Sequence, residues 1–202
     1  MTILETTFPF LEELCAQTFG AQAGGAIFQA AEDRYQALLR EMPDAGPVLQ
    51  DHFRRKLYPP LAYYQALRAA GQDQETALAH VSTASRRAAQ AKREDMARLA
   101  QLPCAYGIYR LFVKSHMRKN FPDEGWETQW VRCDSREIHF NLRRCIYWDT
   151  VRAQGCPELC RIYCENDDIA FSGLLPRIRF QRSGTLGTGG DCCDFHFLRQ
   201  RP

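Results

Sequence analysis

Thr128-Gln-Trp-Val-Arg-Cys133 and Glu137-Ile-His-Phe-Asn-Leu142 decide the fold class of this 202-residue chain. Polar and apolar side chains alternate in both segments, which is typical of β-strands with one buried face. Asp134-Ser135 lies between them and is typical of a hairpin turn, since short polar side chains bind the backbone of tight turns. The pattern predicts an antiparallel hairpin that begins near residue 128.

The residues before this hairpin have the spacing and composition of helices. Apolar residues recur every three or four positions in a sequence rich in Ala, Leu and Glu. Asp73 is a candidate N-cap, and Pro103 a stop. The predicted helices are residues 10–19, 24–40, 57–70, 74–102 and 106–119.

The residues after the hairpin mix short helices with strands. We expect helices at 146–154, ended by Gly155, and from 157 onward, and strands at 168–171, 177–181 and 193–198. The glycine run at 183–191 lacks the ending of a phosphate loop and is expected to be a turn. The predicted fold is α+β: a helical N-terminal half (1–120) packed on a C-terminal antiparallel sheet (121–202) with two short inserted helices, in a single domain of residues 1–202.

Composition narrows the function classes. The formal net charge is +2 and charges of both signs are mixed, so no nucleic-acid partner is expected. No apolar run reaches the roughly 20 residues of a membrane span, and the N-terminus lacks the pattern of a signal peptide. We therefore expect a cytoplasmic protein whose nine cysteines are reduced thiols.

Three thiols stand out as candidates for chemistry: Cys145, Cys164 and Cys193. If the segment after Pro157 is helical, Cys160 and Cys164 lie one turn apart on one face. In a strand, Cys193 shares a face with Phe195 and Phe197, whereas His196 lies on the other face, so a base for Cys193 must come from elsewhere. No cysteine pair has the spacing of a zinc knuckle. Buried, inert thiols are the alternative, because free cysteine is among the most buried residue types.

The combined pattern resembles the L-2-amino-thiazoline-4-carboxylic acid hydrolase family. The residues that carry the resemblance are Tyr58-Pro-Pro-Leu61, Tyr64, Leu67, Phe121-Pro-Asp-Glu-Gly-Trp126, Arg144-Cys145-Ile-Tyr147, Gly155-Cys-Pro-Glu-Leu159, Cys164, Asp167, Asp168, Pro176-Arg-Ile-Arg-Phe180, Thr185-Leu186, Gly190 and Cys193-Asp-Phe-His-Phe197. Cys156, Cys160 and Cys192 look like additions in this chain. The resemblance implies a bacterial hydrolase that adds water at C2 of a cyclic amino-thiazoline, opens the C–S bond and releases N-carbamoyl-L-cysteine.

The chemistry of that reaction suggests roles for individual residues. Opening an amidine-like ring requires a nucleophile at carbon, a proton for nitrogen and help for the departing sulfur. The candidates are Cys193 or Cys164 as nucleophile, Asp168 or His196 as proton shuttle, and Arg144, next to Cys145, to hold the substrate carboxylate.

Two other functions remain open from the sequence. Within the hydrolase reading, Cys145, Cys164 and Cys193 could hold zinc, which would generate the attacking hydroxide. The second reading is a non-catalytic metal- or cluster-binding module that uses the same three cysteines. A thiol-based sensor of a small ligand is the third reading. The expected partner is a small-molecule substrate, without nucleic acid or membrane, and a homo-oligomer is one of the oligomeric states left open.

Overall fold

A computed structural model describes residues 1–200 of the chain. Helices lie mainly in the N-terminal part and an antiparallel sheet in the C-terminal part, which confirms the α+β prediction. The chain divides into two compact units, the first from Met1 to Ala88 and the second from Ala89 onward. The expectation of one domain with a boundary at residue 120 stays a prediction.

The first unit is helical. It contains α1 (Leu11–Phe19), α2 (Ala21–Arg40), α3 (Pro47–His52), α4 (Tyr58–Ala69) and the first part of α5 (Gln74–Ala100). A π-helical turn, Phe53–Leu57, joins α3 to α4. Gly24 lets α1 and α2 approach closely, because a Cβ there would lie 2.3 Å from the Cys15 carbonyl oxygen.

The second unit carries the sheet. Its further helices are α6 (Ala105–Asn120), α7 (Ile146–Ala153) and α8 (Cys160–Ser172), and its strands are β1 (Trp126–Cys133), β2 (Glu137–Cys145), β3 (Ile178–Gln181) and β4 (Cys193–Arg199). The strand order is β1-β2-β4-β3 and all pairs are antiparallel. The last strand in the sequence therefore lies between two strands that precede it.

Alternation along the strands builds one buried face. Ile138, Phe140 and Leu142 of β2 are buried, as are Cys193, Phe195 and Phe197 of β4. The rings of Phe140 and Phe195 stack at a centroid distance of 5.1 Å, and Phe171 of α8 meets Phe197 edge-on at 4.9 Å. The aromatic layer thus joins α8 to the sheet.

Several local predictions are confirmed by the hydrogen bonds. Asp134 Oδ1 accepts the backbone N–H groups of Arg136 and Glu137 at 2.7 and 3.1 Å, which closes the predicted hairpin turn. Asp73 accepts the Thr76 N–H at 2.9 Å as the cap of α5. Gly155 follows α7 with φ +69°, a conformation that favours glycine.

The strand predicted at 168–171 is wrong, because these residues complete α8. Ile169 and Phe171 alternate with shorter residues, and a window of four residues does not separate the two-residue period from the helical one. The buried positions Cys160, Ile162, Tyr163 and Ala170 belong to one helical pattern instead. The short helix α3 was also not predicted.

Among residues 1–200, no helix combines the length and the apolar character that crossing a bilayer requires.

Candidate functional site

Three thiols converge where α8 faces the start of β4. Cys160 opens α8, Cys164 follows one turn later, and Cys193 is the first residue of β4 on its buried face. Hydrogen bonds join the Cys164 side chain to those of both Cys160 and Cys193. Cys160 and Cys193 are buried, whereas Cys164 is partly exposed. We refer to Cys160, Cys164 and Cys193 as the thiol cluster.

The glycine-rich segment between β3 and β4, residues 183–192, covers this cluster and is called the glycine loop below. The Leu186 N–H donates to Cys193 Sγ at 3.3 Å, and the buried Thr185 side chain bonds to Cys164. Gly187 lies so close to α8 that a Cβ there would be 2.9 Å from Cys160 Sγ. The loop thus contacts all three thiols, and glycine at 187 allows its close approach.

Asp194 anchors the base of the glycine loop from the other face of β4. Its carboxylate accepts the Ser183 N–H at 2.8 Å, the Ser183 hydroxyl at 2.9 Å and the Gly184 N–H at 2.9 Å. These hydrogen bonds favour the ionised form and lower the pKa of Asp194 against the opposing effect of desolvation. Adjacent residues of one strand therefore serve the site differently: Cys193 enters the cluster and Asp194 holds the loop.

The hydrogen bonds within the cluster favour the ionised form of Cys164. Bonds from Cys160 and then Cys193 lower the pKa of Cys164, and smaller contributions come from Thr185 and the charge of Arg182. The same bonds, together with burial, raise the pKa values of Cys160 and Cys193. The contacts within the cluster therefore favour ionisation at Cys164, with Cys160 and Cys193 as its hydrogen-bond donors.

Arg182, at the end of β3, ties this helix to the sheet. The guanidinium donates to the Cys164 carbonyl oxygen and forms ion pairs with Asp168 at 2.6 Å and Asp167 at 3.4 Å. Only 9% of the Arg182 side chain is exposed. This arginine fixes the turn of α8 that carries Cys164 and both carboxylates.

Asp167 and Asp168 differ in their surroundings. Desolvation raises the pKa of Asp167 to about 7, helped by the charge of Cys164 and opposed by Arg182. Its side chain keeps 40% of its surface exposed, which leaves a path for protons. The Asp168 side chain is 54% exposed and pairs with Arg182. Asp167 is the better placed of the two to exchange a proton near neutral pH.

Cys145 and Arg144 lie at the end of β2, where α7 begins. Burial raises the pKa of the Cys145 thiol to about 12, and the charge of Cys164 contributes to this rise. The neighbouring Arg144 is exposed, pairs with Asp149 at 3.0 Å and donates to the Glu124 carbonyl at 3.2 Å. Cys145 thus lies within electrostatic reach of the cluster, whereas the Arg144 guanidinium is held by partners outside it.

His196 lies on the opposite face of β4 from Cys193, as the alternation predicts. Its Nε2 lies 2.8 Å from Glu137 Oε2, and its ring stacks on His139 with centroids 4.7 Å apart. The bond to His196 lowers the pKa of Glu137. The structure therefore brings Cys164 and Cys193 together with Asp168 nearby, and places His196 apart from them.

The metal role predicted for Cys145, Cys164 and Cys193 stays a prediction. Within residues 1–200, no three or more His, Cys, Asp or Glu side chains are grouped so that they could hold a metal ion. The Cys160 and Cys193 side chains form hydrogen bonds with the Cys164 sulfur. The function proposed below uses the thiols themselves.

A separate cleft of about 160 Å³ opens elsewhere in the second unit. Its lining residues are Cys104, Tyr106, Gly107, Arg110, Ser135 and Arg199. None belongs to the thiol cluster, and none is a carboxylate or histidine that could accept a proton. We therefore place the candidate site at the thiols.

Sequence reasoning missed four contributors to the site: Cys160, Asp167, Arg182 and Thr185. Cys160 looked like an addition, although its four-residue spacing from Cys164 already put both thiols on one helical face. Asp167 was passed over in favour of its neighbour Asp168, and Thr185 stood within the resemblance without a role. No local signal marked Arg182, because its partners are 14 to 18 residues away in the sequence.

The family comparison agrees with the resemblance. Residues 50–197 match the model of the family described as L-2-amino-thiazoline-4-carboxylic acid hydrolase. No curated protein matches the chain significantly. The matched region includes α8, the glycine loop and all three clustered thiols. Since it covers most of the 202 residues, this chain belongs to the L-2-amino-thiazoline-4-carboxylic acid hydrolase family.

Proposed function

We propose that the protein is a hydrolase that opens L-2-amino-thiazoline-4-carboxylate to N-carbamoyl-L-cysteine, with Cys164 as nucleophile. The observation that carries this proposal is the position of Cys164, which is partly exposed, contacts Cys160 and Cys193 in a way that lowers its pKa, and lies on the same helix as the acid Asp167. The family name supports the hydrolase class. The substrate and the covalent route are our inference from the chemistry of these residues.

The first half of the reaction forms an enzyme-bound intermediate. The Cys164 thiolate attacks C2 of the ring, and the electron pair of the C=N bond moves to nitrogen, which takes a proton. The adduct collapses by breaking the ring C–S bond, so that the substrate sulfur leaves. C2 is then joined to Cys164 as an S-linked isothiourea. A thiolate suits this step because it, and not the neutral thiol, is the nucleophilic form.

The second half releases the product. Water adds at C2, and the bond between C2 and Cys164 Sγ breaks to regenerate the thiolate. The carbon retains the water oxygen as the carbonyl of N-carbamoyl-L-cysteine. The hydrogen bonds from Cys160 and Cys193 stabilise Cys164 as a leaving group, just as they stabilise its resting charge.

Asp167 is our candidate for the group that moves protons. At a pKa of about 7 it is partly protonated at neutral pH, so it can give a proton to the departing sulfur and take one from the attacking water. Asp168 and Arg182 would act by positioning α8. For Arg144 to bind the substrate carboxylate, its guanidinium would have to leave Asp149 and the Glu124 carbonyl.

Turnover of L-2-amino-thiazoline-4-carboxylate tests the proposal directly. The reduced protein is incubated with this compound, and N-carbamoyl-L-cysteine is quantified by mass spectrometry. We expect Cys164→Ser to lower kcat/KM by at least about a thousandfold, since removal of a nucleophile eliminates the covalent route. Mass spectrometry of acid-quenched wild type should also detect the substrate-derived adduct on Cys164.

Cys104→Ser is the matched control, because Cys104 is an exposed thiol outside the cluster. We expect its kcat/KM to stay within about twofold of wild type, as for an exposed substitution away from the site. The proposal fails if reduced wild type does not turn over the compound. It also fails in its assignment of the nucleophile if Cys164→Ser retains wild-type turnover.

A further inference from the structure

We propose that the thiol cluster is also an oxidation site, at which hydrogen peroxide converts Cys164 and Cys193 into a reversible disulfide. The disulfide rests on the side-chain contact between Cys164 and Cys193 and on the difference in their exposure; the accompanying loss of hydrolysis rests on the proposed function. Two contacts of the glycine loop locate the buried thiols independently of their charges. The Leu186 N–H reaches Cys193 Sγ at 3.3 Å, and Gly187 lies against Cys160 Sγ.

Exposure determines which sulfur reacts first. Cys160 and Cys193 are exposed by only 2% and 5%, whereas Cys164 is partly exposed. A small neutral oxidant therefore meets Cys164 before either neighbour. Cys164 is also the member that accepts hydrogen bonds from the other two, which favours its thiolate, the form that peroxide oxidises.

The identity of the second sulfur follows from helix geometry. Cβ atoms four residues apart on a helix are about 5–6 Å apart, whereas a disulfide holds its Cβ atoms at about 3.5–4.5 Å. Cys160 and Cys164 are such a pair within α8, so a bond between them would distort the helix. Cys193 is on β4 and is not under that constraint. Cys193 is therefore the resolving thiol.

The chemical steps balance with peroxide as the oxidant. The Cys164 sulfur forms an S–O bond as the peroxide O–O bond breaks, which gives a sulfenic acid and hydroxide. Cys193 loses its proton and attacks the Cys164 sulfur. The S–S bond forms, the S–O bond breaks, and the departing hydroxide takes up the proton. The hydroxide from the first step takes up the proton that Cys164 released on ionising, so that two thiols and one peroxide yield one disulfide and two waters, and an external thiol reverses the oxidation.

A disulfide here would stop the hydrolysis for two reasons. The nucleophilic sulfur is consumed, and the two donors that flank Cys164 are reduced to one. Further oxidation of Cys164 to a sulfinic acid is prevented while the disulfide is present. The site would therefore recover its activity after reduction.

Tryptic mapping of the full-length protein distinguishes the pairs. Cys160 falls in peptide 153–161, Cys164 in 162–177 and Cys193 in 183–199. Reduced protein is treated with hydrogen peroxide, alkylated with iodoacetamide and digested. We expect a cross-link between 162–177 and 183–199 as the main product, and its disappearance after dithiothreitol.

Two variants complete the test. Peptide 183–199 also contains Cys192, so the Cys192→Ser variant shows which cysteine is linked. We expect this variant to retain the cross-link, because Cys193 forms it. Cys193→Ser should abolish it and leave Cys164 as a sulfenic acid that dimedone labels. A main cross-link between 153–161 and 162–177 would overturn the pair, and full alkylation of Cys164 after peroxide would overturn the oxidation site.

Mass detection separates this proposal from the proposed function. If reduced protein shows no turnover but the cross-link forms, the hydrolase function fails and the oxidation site stands. If turnover occurs and continues unchanged in fully cross-linked protein, the claim that the disulfide stops hydrolysis is overturned.

Discussion

Replacing Gly187 by alanine tests the close contact between the glycine loop and the thiol cluster. The new Cβ would lie 2.9 Å from Cys160 Sγ, 3.0 Å from Cys160 Cβ and 3.3 Å from its carbonyl carbon. Ordinary carbon contacts need about 3.5–4.0 Å. Either the loop or the first turn of α8 must therefore move by several tenths of an ångström.

The expected loss of stability can be estimated from this overlap. Adding a methyl group to a packed interior typically lowers the free energy of unfolding by about 1–3 kcal/mol. We expect Gly187→Ala to fall in that range. Movement of the loop also withdraws the Leu186 N–H from Cys193 Sγ, so kcat/KM should fall with the stability.

Gly184 offers a matched control within the same loop. A Cβ there would meet no atom within 4 Å, and its backbone lacks a positive φ, as does that of Gly187. Gly184→Ala should therefore be neutral or stabilise the protein by up to about 1 kcal/mol, since alanine restricts the unfolded chain. Urea denaturation under reducing conditions gives both free energies of unfolding.

A second substitution tests whether Cys160 causes the effect. In a Cys160→Ala background the sulfur is absent, so Gly187→Ala should destabilise the protein by less than it does in wild type. Equal stability of the Gly187→Ala and Gly184→Ala proteins would refute the reasoning. Strict additivity in the double variant would show that the overlap with the sulfur does not cause the loss.

Two further predictions concern pH. The wild-type kcat/KM should fall as pH rises through about 7, because Asp167 loses the proton it donates. The Asp167→Asn variant should lack this fall, whereas the Asp168→Asn control should keep it. A wild-type pH profile in Asp167→Asn would contradict the role of Asp167. The free energy of unfolding should fall above about pH 8.5, where unfolded thiols ionise. The raised pKa values of Cys145 and Cys193 give stability that is fully present below that pH and is lost as pH rises toward them, by up to about 1.4 kcal/mol per pH unit for each thiol. Urea denaturation from pH 7.5 to 10 measures this fall in the free energy of unfolding. Cys145→Ser should reduce the slope of that free energy against pH. A free energy of unfolding that stays constant over the range would refute the prediction.

The sequence predicted those features that depend on neighbouring residues. The hairpin at Asp134, the longer helices of the first unit and the opposed faces of Cys193 and His196 each follow from a local period or turn preference. The strand prediction for residues 168–171 was wrong because four residues fit either the strand period or the helix period. Contacts of α8 with the sheet decide the conformation of this segment.

The candidate site was predictable in part. Cys164 and Cys193 were named from the sequence, but their hydrogen bond depends on how α8 meets β4. Arg182 was missed because its role depends on tertiary contacts, with Asp167, Asp168 and the Cys164 carbonyl oxygen. Thr185 and Gly187 are ordinary turn residues in sequence, and the folded loop alone brings them to the sulfurs.

The strand order also constrains when the site can form during synthesis. β4 must insert between β2 and β3, although the ribosome makes both of them first. From the end of β2 at Cys145 to the start of β4 at Cys193 the nascent chain grows by 48 residues, or roughly 2–10 s at about 5–20 residues per second. During that interval one edge of β2 is unpaired, which is a site for mispairing with other chains. Chaperone capture of nascent chains should therefore be greatest in this interval and fall once β4 has emerged.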